Sequence, residues 1–118
     1  ESQTERALAR SLCAELHSGF MHLRANCPFS LKKIEPLSDF SDDLSNELSR
    51  VESIFESANL PFMFGSAGAV DAFYSILAFR LKSYGITLEG KAGIYQDSLL
   101  NWPLLQQAIK LAHRWKNA

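Results

Sequence analysis

At 118 residues the chain has the length of one domain, enough for a sizeable core but not for two. Its hydrophobic fraction of 47% and charged fraction of 21% are those of an ordinary globular protein, and no apolar run approaches the roughly 20 residues of a membrane-spanning helix. The net charge of −1 argues against a broad basic surface, so we expect neither nucleic acid nor a membrane as a partner.

The first predicted helix runs from about Thr4 to Ala25 and ends before Pro28. A loop without apolar periodicity follows from Asn26 to Ser38. Along the helix, apolar or small residues recur at spacings of three and four, which predicts one buried face formed by Leu8, Leu12, Leu16, Gly19 and Leu23.

The second helix is predicted from the capping and acidic residues at 39–43 to about Ala58. The third runs from Gly68 to about Tyr84, where Gly85 provides a natural stop. Because its apolar residues cover more than one face, we expect the third helix to be central, with Tyr74 and Tyr84 in the core and their hydroxyls hydrogen-bonded.

A fourth helix is predicted over roughly Lys91 to Asn101, and a fifth begins at Pro103, where the missing N–H costs nothing. No segment alternates with the two-residue period of a strand. The sequence therefore predicts an all-α fold, a helical bundle of about five helices in a single domain over 1–118. We expect the fifth helix to bury Leu104, Ala108, Leu111, Ala112 and Trp115.

The two cysteines, Cys13 and Cys27, are predicted to be free thiols. Their positions differ by 14, so on one helix they would lie roughly 21 Å apart at about 1.5 Å per residue. A disulfide needs Cα atoms less than about 7 Å apart. Free thiols are typical of a cytoplasmic protein, which is the location we expect.

The run from Phe62 to Tyr74 combines an apolar segment, a glycine turn and an acid at the start of a helix. The spacing of Gly68 and Asp71 is that of a capping box, in which Gly68 is the N-cap and the Asp71 carboxylate reaches back to a backbone N–H. We therefore interpret Asp71 as a structural residue rather than a catalytic one.

Several short segments together resemble a known family. Phe64-Gly65, Asp71-Ala72 and Trp102-Pro103, in this order, resemble the C-terminal helical domain of cytosolic glutathione transferases. The segment Ala-Glu-Leu-His-Ser-Gly-Phe at 14–20 is similar to the E-L-H-K-G-F stretch in the first helix of that domain in bacterial members. The resemblance covers essentially the whole chain and implies the fold of that domain.

Two positions depart from the family pattern. Gly68 stands where the family usually has Ser or Thr, so only the Asp71 half of the capping box remains. Ser18 stands where many bacterial members have lysine, and it cannot make a cationic contact to glutathione.

In the family, a preceding thioredoxin-like domain binds glutathione and carries the catalytic Ser, Cys or Tyr. This chain has no βαβ pattern, and it begins at Glu1 rather than at methionine, so we expect it to be a piece of a longer protein. The resemblance thus implies no catalytic residue and no bound cofactor in this chain. In the intact protein it implies glutathione as cosubstrate, a small hydrophobic electrophile as substrate and a homodimer.

A second stripe on the first predicted helix supplies the site candidates: Cys13, His17, Phe20 and Arg24, with Cys27 beyond them. They either line an active-site cleft or form the solvated edge of an amphipathic helix. The resemblance favours the cleft and puts His17 near bound glutathione. Cys13 and His17 lie one helical turn apart, but two ligands are too few for a zinc site, so we predict no metal.

Two hypotheses of different classes follow. The chain is either the electrophile-site and dimer-interface domain of a glutathione transferase-like enzyme, or a non-catalytic helical module for protein interaction. Transferase-like domains of this shape serve as docking parts in translation and stress-response assemblies.

Overall fold

The computed structural model describes residues 2–116, and this part of the chain is all-helical, as the sequence predicts. It contains six helices rather than about five. In chain order they are α1 (Gln3–Ser18), α2 (Met21–Asn26), α3 (Asp42–Glu56), α4 (Ala69–Ser83), α5 (Gly90–Leu100) and α6 (Pro103–Lys116).

The additional helix arises because the first predicted helix breaks at Gly19 and Phe20. Gly19 is extended, with φ −111° and ψ −164°, and Phe20 is left-handed, with φ 57°. A Cβ on Gly19 would lie 2.8 Å from the Glu15 carbonyl oxygen, so this close turn suits glycine. Phe20 and Leu23 are both buried, so the apolar periodicity of the sequence continues across the break. That continuity is why the periodicity predicted a single helix.

Helix α4 is central, as predicted, and packs against α1, α5 and α6. Helix α3 packs against α2 and α5 on the other side of the core. Three aromatic rings join these layers: Phe55 meets Tyr95 edge to face at 4.8 Å and Tyr74 at 6.1 Å between ring centroids. Edge-to-face pairs of this kind add stability beyond the area that they bury.

The buried tyrosines of α4 and its C-cap donate hydrogen bonds across the fold. The Tyr74 hydroxyl donates to the Leu12 carbonyl at 2.7 Å, and the Tyr84 hydroxyl donates to the Pro28 carbonyl at 3.0 Å. The prediction of core tyrosines with satisfied hydroxyls is therefore confirmed. These bonds connect α4 to α1 and to the loop after α2.

The cysteines are both free, as predicted, although they do not share a helix. Cys13 lies in α1, whereas Cys27 is the buried C-cap residue of α2. Burial raises the pKa of both thiols above the usual value, so both stay protonated near neutral pH.

The prediction of which α6 residues are buried is wrong. Leu104, Leu111 and Trp115 are 54%, 41% and 74% exposed, whereas the neighbouring Leu105 is buried. Among the described helices α6 packs mainly against α4 and α5, and it makes few contacts with either, so its buried face is narrow. Its strongest apolar stripe is therefore left on the surface.

The first predicted stripe also loses one member, since Leu8 near the start of α1 is exposed. None of the helices within residues 2–116 combines the length and the apolar character that crossing a membrane requires.

Candidate functional site

The start of α4 is held by the carboxylate of Asp71, which is only 1% exposed. Its Oδ2 accepts a hydrogen bond from the Gly68 N–H at 2.8 Å, which is the contact expected of a capping box. Its Oδ1 accepts two more, from the Met63 N–H at 2.9 Å and from the Tyr95 hydroxyl at 2.6 Å. One carboxylate thus fastens the 62–68 loop and α5 to the first turn of α4.

Tyr95 is a neutral donor in this arrangement. Burial raises the pKa of its hydroxyl far above the usual value, and the hydrogen bond to Asp71 raises it further. Burial likewise raises the pKa of Tyr74. Both hydroxyls therefore stay neutral near neutral pH and act as hydrogen-bond donors, which suits this cluster to holding the fold.

Gly68 lacks the side-chain oxygen of a full capping box, and the space for one is open. A Cβ at Gly68 would meet no heavy atom within 4 Å. We expect Gly68→Ser to raise the free energy of unfolding by a few tenths of a kcal/mol, because its hydroxyl can accept from the Asp71 N–H. Chemical denaturation measures the change.

Gly65→Ser is the matched control for this prediction. Gly65 has φ +92°, a conformation that serine rarely adopts, so this variant is expected to lose about 1 kcal/mol. A loss of stability in Gly68→Ser similar to that in Gly65→Ser would contradict the capping account.

A cleft of about 230 Å³ opens where α1, α2 and α4 meet. His17 and Phe73 form one side of it, with ring centroids 4.9 Å apart in an edge-to-face arrangement. Its other lining residues combine apolar side chains with two guanidinium groups: Leu16, Arg24, Ile76, Leu77 and Arg80.

The cleft contains two of the four residues predicted from the first helix. His17 and Arg24 line it, whereas Phe20 is buried in the core and Cys13 is half-buried against the core. The helix break explains the position of Phe20, because its left-handed backbone turns the side chain inward from the edge it would occupy on a continuous helix.

The two arginines bind the C-terminal ends of α1 and α2 beside the cleft. The Arg24 guanidinium donates through Nη2 to the Leu16 and His17 carbonyls, at the end of α1. The Arg80 guanidinium donates to the Leu23 and Cys27 carbonyls, at the end of α2. A cation that binds the last carbonyls of a helix also interacts favourably with the helix dipole.

The sequence analysis missed Phe73 and Arg80 as cleft residues. Both lie on α4, seven positions apart, so two helical turns bring them to one face. Arg80 does leave a signal in the sequence, since it is a permanent cation that follows the apolar run Ile76–Phe79 of the central helix. Phe73 leaves none, because an aromatic residue there is equally expected of a core position.

A second depression, of about 290 Å³, lies at the start of α4 between the 64–68 segment and α1. Its charged lining residues are Glu5 and Asp71. Both carboxylates already accept backbone N–H bonds, Glu5 within the capping box of α1 and Asp71 at α4. This depression therefore offers less for a ligand than the arginine-lined cleft.

In the part of the chain that the structure describes, no three His, Cys, Asp or Glu side chains are grouped so that they could hold a metal ion. No protein-family model matches the sequence, and no curated protein or solved structure gives a significant match. The family resemblance therefore depends on the residues quoted for it.

Proposed function

We propose that this chain is the electrophile-site and dimer-interface domain of a bacterial, cytoplasmic glutathione transferase-like protein. The intact protein would conjugate glutathione to small hydrophobic electrophiles. The main support is that the chain has both a buried Asp71 at the start of the central helix and a cleft that contains His17, because the resemblance implies these two features.

The cleft is chemically suited to hold an electrophile rather than to activate a thiol. Phe73, Ile76 and Leu77 provide an apolar wall, and Cys13 lies outside it with a raised pKa. In the proposed protein, the preceding thioredoxin-like domain supplies the glutathione thiolate. The thiolate attacks the electrophilic carbon, and the leaving group departs with the bonding electrons. The role of this chain is then binding and orientation.

The uncovered apolar surface of α6 also supports a place in a larger assembly. An apolar stripe of this kind on a surface is typical of a contact with another domain or subunit. In the proposed enzyme, the thioredoxin-like domain or the second subunit covers it. The stripe consists of Leu104, Leu111 and Trp115.

The test measures conjugation of glutathione to an aryl chloride by the longer protein. We expect His17→Ala to lower glutathione affinity about tenfold, equivalent to about 1.4 kcal/mol, because the family resemblance places this imidazole near bound glutathione. His113→Ala, on the exposed face of α6, is the control and is expected to leave affinity unchanged. Unchanged glutathione affinity in His17→Ala would contradict the assignment of His17 to the glutathione site. Absence of any conjugation by the longer protein would contradict the proposal that it is a transferase.

The second candidate is a non-catalytic interaction module, and the same apolar stripe favours it. Trp115 is 74% exposed at the end of α6, where it is available to a protein partner. Glutathione binding separates the two candidates, because a non-catalytic module would not bind glutathione. The Trp115→Glu variant tests the module itself, which would then lose its protein partner.

A further inference from the structure

The cleft between α1, α2 and α4 has positive charge that the described residues do not neutralise. Each guanidinium has five N–H donors, and Arg24 and Arg80 use two each on backbone carbonyls. Three donors on each therefore remain for another acceptor. The Arg50–Glu15 ion pair and the His22–Asp43 contact involve neither arginine, and within residues 2–116 no carboxylate lies within 4.0 Å of either guanidinium.

The two cations also influence one another. Partial burial lowers the pKa of Arg80, and the nearby charge of Arg24 lowers it further. Such a pair is unfavourable without a counterion, and an anion between the guanidinium groups would be attracted to both. Arginine is well suited to this because its planar donors match the two oxygens of a carboxylate.

The rest of the cleft has room for a small anion. Its volume of about 230 Å³ is below the range typical of drug-sized ligands and accommodates a molecule of about one ring. The edge of Phe73 and the side chains of Ile76 and Leu77 provide apolar contact for that ring. The cleft thus offers a cationic end and an apolar wall to the same small ligand.

We propose that this cleft binds a small aromatic carboxylate, with the carboxylate between Arg24 and Arg80 and the ring against Phe73. This proposal rests on the proposed function, because the bound ligand is the electrophile only if the protein is a transferase. The electrophile would then be an organic acid rather than a neutral hydrophobic compound. Glutathione also carries carboxylates, so the experiment has to distinguish the two sources.

Benzoate and benzamide form the first comparison, because they have nearly the same shape and differ in charge. Titration of each into the 118-residue chain, followed by NMR of the backbone amides of α1 and α4, gives the two dissociation constants. We expect benzoate to bind at least about tenfold more tightly, with a difference that shrinks as salt is added. Equal affinities would overturn the inference.

Substitution of Ile76 tests the location without removing the arginine contacts to the helix ends. Ile76 is exposed and lines the cleft. We expect Ile76→Glu to weaken benzoate binding about tenfold relative to Ile76→Gln, because only the carboxylate repels the anion. Equal binding by the two variants would place the anion elsewhere and contradict the proposal.

Arg24→Gln completes the test, with Arg114→Gln on α6 as a control for the loss of one charge. We expect only Arg24→Gln to weaken benzoate binding, and thermal unfolding of both variants shows whether the fold is retained. The proposal would be overturned if Arg24→Gln weakened the binding of S-hexylglutathione and left benzoate binding unchanged. That result would mean that Arg24 binds a carboxylate of glutathione. Benzoate binding at the cleft without conjugation by the longer protein would contradict only the proposed function.

Discussion

Asp71→Ala is expected to lower the free energy of unfolding by about 4 kcal/mol, because it leaves three donors without their charged acceptor. The Met63 N–H, the Gly68 N–H and the Tyr95 hydroxyl all donate to this carboxylate. A helix cap alone would account for about 1 kcal/mol. The larger loss is expected because Asp71 is buried and joins the loop and α5 to α4.

A double-mutant cycle with Tyr95→Phe separates the parts of this effect. Tyr95→Phe removes one hydrogen bond and is expected to cost about 1.5 kcal/mol by itself. In the Asp71→Ala background it should cost much less, since the acceptor is already absent. Urea denaturation of the four proteins provides the coupling free energy.

Asp97→Ala is the control, because Asp97 is an exposed carboxylate in α5 whose side chain makes no hydrogen bond in the described structure. Its loss should change stability by less than about 0.5 kcal/mol. If Asp71→Ala cost no more than Asp97→Ala, the carboxylate would not hold the start of α4 in solution.

The sequence predicted one of the three contacts of Asp71 and could not predict the others. The spacing of Gly68 and Asp71 is local, so the capping contact can be read directly. Tyr95 lies 24 residues away, and its approach depends on how α5 packs against α4. No local pattern contains that information.

The difference between local patterns and tertiary packing also explains the wrong predictions near the two ends of the chain. Periodicity located the α1–α2 region correctly but could not show the break, because Gly19 fits a helical stripe as well as it fits a turn. On α6, periodicity identified an apolar face and assumed that the rest of the fold would cover it. Trp115 is 74% exposed, so nothing within residues 2–116 covers it.

The cleft was predicted only in part for a related reason. His17 and Arg24 could be named because they share a helical face in the sequence and the family resemblance singles out His17. Arg80 comes from the other side of the cleft, and its relation to Arg24 depends on how α4 meets the end of α2. The anionic character of the proposed ligand follows from that pair, whereas the resemblance implied only a small hydrophobic electrophile.

The second large effect is expected at Gly93, where alanine should lower the free energy of unfolding by about 3 kcal/mol. In an unobstructed helix interior, Gly→Ala usually adds about 0.5–1 kcal/mol, so the predicted sign is reversed. A Cβ at Gly93 would lie 2.3 Å from the Leu88 carbonyl oxygen and 3.0 Å from its carbon. Such contacts are impossible without a shift of the backbone.

The segment that would have to move is itself held in place. Gln96 is fully buried, accepts a hydrogen bond from the Leu88 N–H at 2.8 Å and donates one to the Ile86 carbonyl at 3.1 Å. Moving Leu88 away from a new methyl group would stretch these bonds and expose Gln96. Relief of the clash therefore carries its own cost.

Gly68→Ala provides the comparison, because its Cβ has open space and its backbone is extended. It should cost no more than about 1 kcal/mol, the usual effect of alanine at a helix N-cap. Thermal and urea unfolding of both variants measure the difference. A Gly93→Ala protein as stable as the parent would mean that the 86–88 segment does not pack against α5 as closely as the structure has it, since no ordinary helix effect can offset a backbone overlap of that size.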